Sequence, residues 1–214
     1  MEDGWNTTNF TSEGYVVFYP DIKYKLNDPG TSAAKCLEAG VKAVLAKGFV
    51  RKQHIGLIGH SFGGYETAFT ITQSNLFAAA VAGAAVTDMV SYYHSVGWEA
   101  GLPEMWRLEN HQWRFKDSFY ENPEAYLRNS PIHYAKNINT PLLLWTGNRD
   151  FWLDWEQNIE LYMGLRRQGK VCKLLVYPDE EHSIYNDTKN TVDLTNRVKN
   201  WFDKYLKPNE KEKK

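Results

Sequence analysis

An apolar run, Ile55-Gly56-Leu57-Ile58-Gly59, ends in Gly59-His60-Ser61-Phe62-Gly63 and passes without a spacer into Phe62 to Gln73, whose pattern is helical. A strand that gives way to a helix across one exposed serine needs a turn so tight that side chains on either flank would clash, which accounts for Gly59 and Gly63. Gly64 adds room for the helix to approach the sheet. The run is apolar throughout and does not alternate, as expected of a strand covered on both faces in a parallel sheet.

Four further runs fit the same sheet: Tyr15 to Tyr19, Ala78 to Ala84, Pro141 to Thr146 and Cys172 to Tyr177. Helical patterns separate them. Ser32 to Lys47 is a crossover helix with Thr31 or Ser32 as its cap; Trp155 to Gln168 is a second, and Thr191 to Leu206 closes the chain and docks Val192, Leu194, Val198, Trp201, Phe202 and Tyr205. The pattern is α/β, a mostly parallel sheet flanked by helices, with residues 1–206 as one unit and 207–214 as a charged tail. Residues 88 to 139 break the rhythm with three Trp and no clear strand, the kind of insertion that builds binding walls at a strand end.

Composition excludes several functions. With 25 Lys and Arg against 26 Asp and Glu, no general positive field exists to collect phosphates, so nucleic acid is not an expected partner. No run approaches the roughly 20 apolar residues of a membrane span, and the chain's first residues resemble no signal peptide. Cys36 and Cys172 lack metal-ligand spacing and read as small core residues. Neither a metal nor a cofactor is expected.

Ser61 stands at the carboxyl end of its strand, and the Phe62 N–H points to where an oxyanion would form. A serine needs an imidazole and an acid to become a nucleophile, and on this scaffold they follow in the order Ser, Asp, His. Asp150 lies in the loop after the fourth run and His182 in the loop after the fifth, both on the edge that carries Ser61. Asp154 competes with Asp150, whereas Asp179, Glu180 and Glu181 lie too close to His182 in sequence to orient it. His60 points to the opposite face from Ser61 and reads as a packing residue or one that supports the site from behind, while His54, His94, His111 and His133 have no positional claim.

At these residues the chain resembles the prolyl oligopeptidase family of serine peptidases, most closely its dipeptidyl peptidase IV-like branch. The resemblance rests on Gly14 to Asp21, Gly59-His60-Ser61-Phe62-Gly63-Gly64-Tyr65, Glu121 to Ile132, Gly147-x-x-Asp150 with Leu153 to Gln157, and Glu181-His182-Ser183. It implies an α/β-hydrolase fold, a triad of Ser61, Asp150 and His182, and a substrate pocket lined by aromatics at the positions of Tyr92, Tyr93 and Trp98. The implied substrate is a short peptide; a carboxylesterase on the same fold and a non-catalytic dimerising module are the competing readings. Parents in this family often work in periplasmic or extracellular compartments.

The chain also departs from the family. Its β-propeller and first strands have no counterpart here, and of the family's strands the third, which belongs between Tyr15 to Tyr19 and Ile55 to Gly59, is missing together with its second oxyanion donor. The expectation is therefore a C-terminal piece of a longer protein, partnered by its missing N-terminal part or by a second copy. Loss of that donor would cost about 2.7–4 kcal/mol of transition-state stabilisation.

Overall fold

The structure is a computed structural model that describes residues 6–207. Among the described residues six strands and eight α-helices follow one another as α1 (Thr7–Thr11), α2 (Pro29–Leu45), β1 (Gly56–His60), α3 (Phe62–Gln73), β2 (Ala79–Gly83), α4 (Met89–Tyr93), β3 (Val96–Gly97), β4 (Leu102–Pro103), α5 (Glu104–Asn110), α6 (Pro123–Arg128), β5 (Leu142–Gly147), α7 (Glu156–Arg167), β6 (Cys172–Tyr177) and α8 (Thr188–Leu206). Short 3₁₀ turns cover Lys52–His54 and Pro131–Asn137. The sheet is parallel, in the order β1-β2-β5-β6, and β3 and β4 form a separate two-residue hairpin.

Four of the five expected strands are present. Tyr15 to Tyr19 is not one of them: it joins no ladder, and β1 is the edge of the sheet. From Tyr15 to Phe18 the run keeps a strand's alternation, with Tyr15 and Val17 packed against the core and Val16 and Phe18 exposed, and the alternation ends at Tyr19, which is exposed as well. An apolar alternating segment becomes a strand only when a neighbour accepts its backbone bonds, and among the described residues no strand lies between it and β1. The helix after it starts earlier than the polar residues suggested, because Pro29 at its first position supplies a fixed φ and needs no N–H partner. Most of the expected tail, residues 208–214, lies outside the described residues.

Alternate residues of β2 and β5 point to opposite faces. Ala80, Ala82, Leu142 and Leu144 pack with Ala68 and Ile71 of α3 and Leu161 and Leu165 of α7. Ala79, Val81, Leu143 and Trp145 pack with Leu194, Val198, Trp201 and Phe202 of α8. Trp201 fixes α8 to the sheet by polar as well as apolar contact, since its indole N–H donates to the Ala80 carbonyl at 3.2 Å. Val192, expected on the same stripe, is 42% exposed.

The register places His60 beside Gly83, Gly83 beside Trp145 and Gly147 beside Tyr177. The carboxyl ends of β1, β5 and β6 therefore meet one edge of the molecule. Trp201→Ala is expected to destabilise the fold by about 3–5 kcal/mol, whereas Val192→Ala stays within ~0.5 kcal/mol, both read from urea unfolding.

Candidate active site

Ser61 sits between β1 and α3 at φ 57° and ψ −119°, a conformation that costs a non-glycine residue about 1–3 kcal/mol and persists only where its surroundings enforce it. Here the Ser61 N–H donates to the Gly83 carbonyl at 2.9 Å, extending the β1–β2 ladder past the strand's end. Crowding at the turn falls on Gly59, where a Cβ would stand 2.0 Å from the Gly63 carbonyl oxygen, and on Gly64, where it would meet the Gly83 oxygen at 2.5 Å. Gly63 itself is open on that side; it is the approach of its carbonyl that Gly59 admits.

The loops after β5 and β6 bring the other two groups to this serine. His182 Nε2 is 2.8 Å from Ser61 Oγ, and its Nδ1 is 2.7 Å from Asp150 Oδ2. Asp150 is 7% exposed, and its Oδ1 accepts the N–H groups of Trp152 at 2.9 Å and Leu153 at 3.0 Å, which turns Oδ2 toward the imidazole. Asp154 is not the partner of His182 Nδ1; burial pushes its carboxyl up, with nearby Ser95 opposing that rise. Phe62 opens α3, so its N–H belongs to the first turn, where helical amides have no intrahelical acceptor. Its ring packs edge-on against Trp113 at 4.6 Å.

The two loops are also joined to each other. Arg149 N–H donates to the Glu180 carbonyl at 2.9 Å, Asn148 N–H to the Tyr177 carbonyl at 3.0 Å, and Asp179 N–H to Asn148 Oδ1 at 2.8 Å. A Cβ on Gly147 would stand 2.2 Å from the Glu180 oxygen and 2.3 Å from that of Glu181, so this approach needs glycine.

His60 both packs and supports the site from behind. Its Nε2–H donates to the His182 carbonyl at 2.7 Å, and its ring stacks on Trp145 at 5.2 Å with a 4° tilt. Burial, with the nearby His182 second, lowers its pKa to about 4.

The three aromatics expected at a pocket divide. Tyr92 and Tyr93 are 1% and 3% exposed and belong to the core under the insertion; their hydroxyls donate to Glu104 and Glu109, each at 2.6 Å. Neither presents an open face. Trp98 is 69% exposed, and the N–H of the next residue, Glu99, donates to the Phe151 carbonyl at 3.0 Å, which sets Trp98 beside the Asp150 loop.

Sequence reasoning overlooked Phe151 and Trp152, large aromatics 40% and 41% exposed directly after the acid. The Trp152 ring lies 6.5 Å from the His182 imidazole and carries the Arg107 guanidinium at 5.2 Å. Two exposed aromatics following a strand-end acid were the available signal. Among the described residues no group of three or more His, Cys, Asp or Glu side chains could hold a metal ion, and no helix is long and apolar enough to cross a membrane.

A strand-to-helix turn that carries Ser61 on a parallel sheet, with His182 and Asp150 following it in the chain, has relatives. The model of the prolyl oligopeptidase family matches residues 2–209. The chain belongs to the prolyl oligopeptidase family. It is 28% identical over 172 residues to the uncharacterized peptidase YuxL of Bacillus subtilis, covering 79% of this chain and 25% of that protein. It is 25% identical over 219 residues to dipeptidyl-peptidase 5 of Porphyromonas gingivalis, covering 95% and 31%. Among solved structures, Pyrococcus horikoshii acylaminoacyl peptidase superposes with a TM-score of 0.70 at 24% identity, over 86% of this chain and 29% of that one. A putative dipeptidyl aminopeptidase IV of Bacteroides ovatus gives 0.71 at 21% identity, over 85% and 23%. The fold is that of the α/β-hydrolases, and the chain spans about a quarter to a third of the relatives' length.

His60 in this family member generates a pH prediction. Its native pKa is depressed below the ordinary 6.5, so the unfolded chain binds the extra proton between about 6.5 and about 4. Stability held by neutral His60 is complete above pH 6.5 and is lost as pH falls through that window, by about 3 kcal/mol in all. Urea unfolding at pH 7.5 and pH 4 should show that loss in the wild type beyond the loss in His60→Gln.

Proposed function

We propose that this chain carries the reaction centre of a serine peptidase that cleaves short peptides through an acyl-enzyme. Ser61 Oγ attacks the scissile carbonyl while His182 Nε2 takes its proton; His182 then gives that proton to the leaving amine, and water repeats the sequence to release the acid. Asp150 holds the imidazole by its Nδ1–H and stabilises the cation that forms. The Phe62 N–H receives the negative oxygen of the tetrahedral intermediate.

The observation that carries this reading is the unbroken line from Ser61 Oγ to His182 at 2.8 Å and from His182 to Asp150 at 2.7 Å, in the family's chain order. Family membership supports a peptide substrate, as does the acylaminoacyl peptidase structure in complex with Z-Gly-Gly-Phe-chloromethyl ketone, to which this chain is 25% identical. Trp98, Phe151 and Trp152 are the exposed aromatics beside the line, and we assign them the walls of the substrate site. Among the described residues the reading names one oxyanion donor; a second is worth about 10²–10³ in kcat, so slow turnover is expected of the chain by itself.

Hydrolysis of a panel of proline and alanine peptide anilides beside a short acyl nitrophenyl ester tests the substrate class. Anilide cleavage that Ser61→Ala abolishes is the expected result. Ester turnover with no anilide cleavage would replace the peptidase reading by a carboxylesterase.

A further inference from the structure

We propose that Glu180 is the positioning residue of this site, its carboxylate fixing the loop that carries His182 and its carbonyl joining that loop to the one that carries Asp150. The proposal rests on the roles assigned above to Ser61, His182 and Asp150.

Three acidic residues precede His182, and the structure separates them. The Asp179 side chain is 85% exposed and Glu181 is exposed, whereas Glu180 has no exposed surface. A carboxylate taken out of water needs several donors to replace its hydration. Glu180 finds them in the turn that follows His182: Oε2 accepts the N–H of Asn186 at 2.9 Å, and Oε1 accepts the N–H of Asp187 and the amide of Asn190, both at 2.9 Å. All three donors belong to the entry of α8, where Asp187 is the cap. The chain between Glu180 and Asn186 is thereby closed into a loop whose two ends are held by one side chain, with His182 inside it.

The main chain of Glu180 adds the second link. Its carbonyl accepts the N–H of Arg149, the residue before Asp150, at a contact that Gly147 makes room for. Glu180 is thus two residues from the imidazole on one side and one hydrogen bond from the acid's neighbour on the other. Errors of about 1 Å in such a line cost on the order of 10²-fold in rate.

The test compares wild type, Glu180→Gln and Asn190→Ala in two readouts. The first is the downfield proton NMR signal of His182 Nδ1–H held on Asp150, assigned by its absence in His182→Gln. The second is the rate of fluorophosphonate addition to Ser61. Glutamine keeps the shape of Glu180 but turns an amide toward buried N–H donors, so at least one loses its acceptor. The expected result is a lost or broadened signal and a labelling rate lower by about 10- to 100-fold in Glu180→Gln, with a smaller change in the same direction in Asn190→Ala. A lower melting temperature alone would be a helix-capping effect and moves neither readout in the folded state. Retention of both the signal and the rate in folded Glu180→Gln overturns the proposal; should that variant not fold, the same result in Asn190→Ala does so. A wild type without the signal overturns it as well. A wild type that shows the signal yet does not label at Ser61 contradicts the peptidase reading alone, and the NMR comparison still decides the role of Glu180.

Discussion

The imidazole of His182 can bridge Ser61 and Asp150 only because the loops after β5 and β6 are held together through their backbones. Arg149, Asn148 and Asp179 contribute the hydrogen bonds, and Gly147 contributes the absence of a side chain that would push Glu180 and Glu181 away. The parallel register of β5 and β6 brings Gly147 level with Tyr177, so both loops leave the sheet at the same height. His60 adds a third hold by donating to the His182 carbonyl from the end of β1, next to Ser61. The two loops are thus tied to each other and to β1, and the strained backbone at Ser61 is held where its N–H donates to the Gly83 carbonyl.

Much of this was legible in the sequence, for physical reasons. Strands buried on both faces write continuous apolar runs, as β2 and β5 do, and the part-exposed edge strands β1 and β6 keep enough apolar residues to read the same way, so all four were readable, and with them the edge on which Ser61, Asp150 and His182 stand. The turn glycine was readable because a strand-to-helix corner leaves no room for a Cβ at Gly59. The run from Tyr15 to Tyr19 misled because hydropathy reports which side chains want cover and says nothing of whether a neighbour offers backbone partners. His60 was readable as a packing or supporting residue from its alternation with Ser61, but the partner of its hydrogen bond, a main-chain carbonyl distant in sequence, leaves no trace in local pattern. Asp179, Glu180 and Glu181 look alike as letters, and only the fold decides which of them is removed from water.

The insertion shows the same limit in its aromatics. Tyr92 and Tyr93 carry hydroxyls that Glu104 and Glu109 satisfy, which lets them enter the core, while Trp98, Phe151 and Trp152 remain at the surface beside the acid loop. Glu104 is itself buried; burial raises its carboxyl, while Tyr92 and Arg107 oppose that rise. Arg107 then reaches over Trp152, so the buried polar group beneath the insertion and the exposed ring beside His182 share one cation. The ring next to the imidazole is in this way supported from the core of the insertion.

The most direct test of the account is fluorophosphonate labelling of the folded chain with peptide mapping of the adduct, beside Ser61→Ala and Asp150→Asn. The account predicts a single adduct on Ser61 in the wild type, none in Ser61→Ala, and much slower addition in Asp150→Asn because the imidazole loses its orienting charge. A chain that is folded by circular dichroism yet takes no adduct at Ser61, or takes it equally fast without the Asp150 carboxylate, would contradict the claim that these three residues act as one nucleophilic unit.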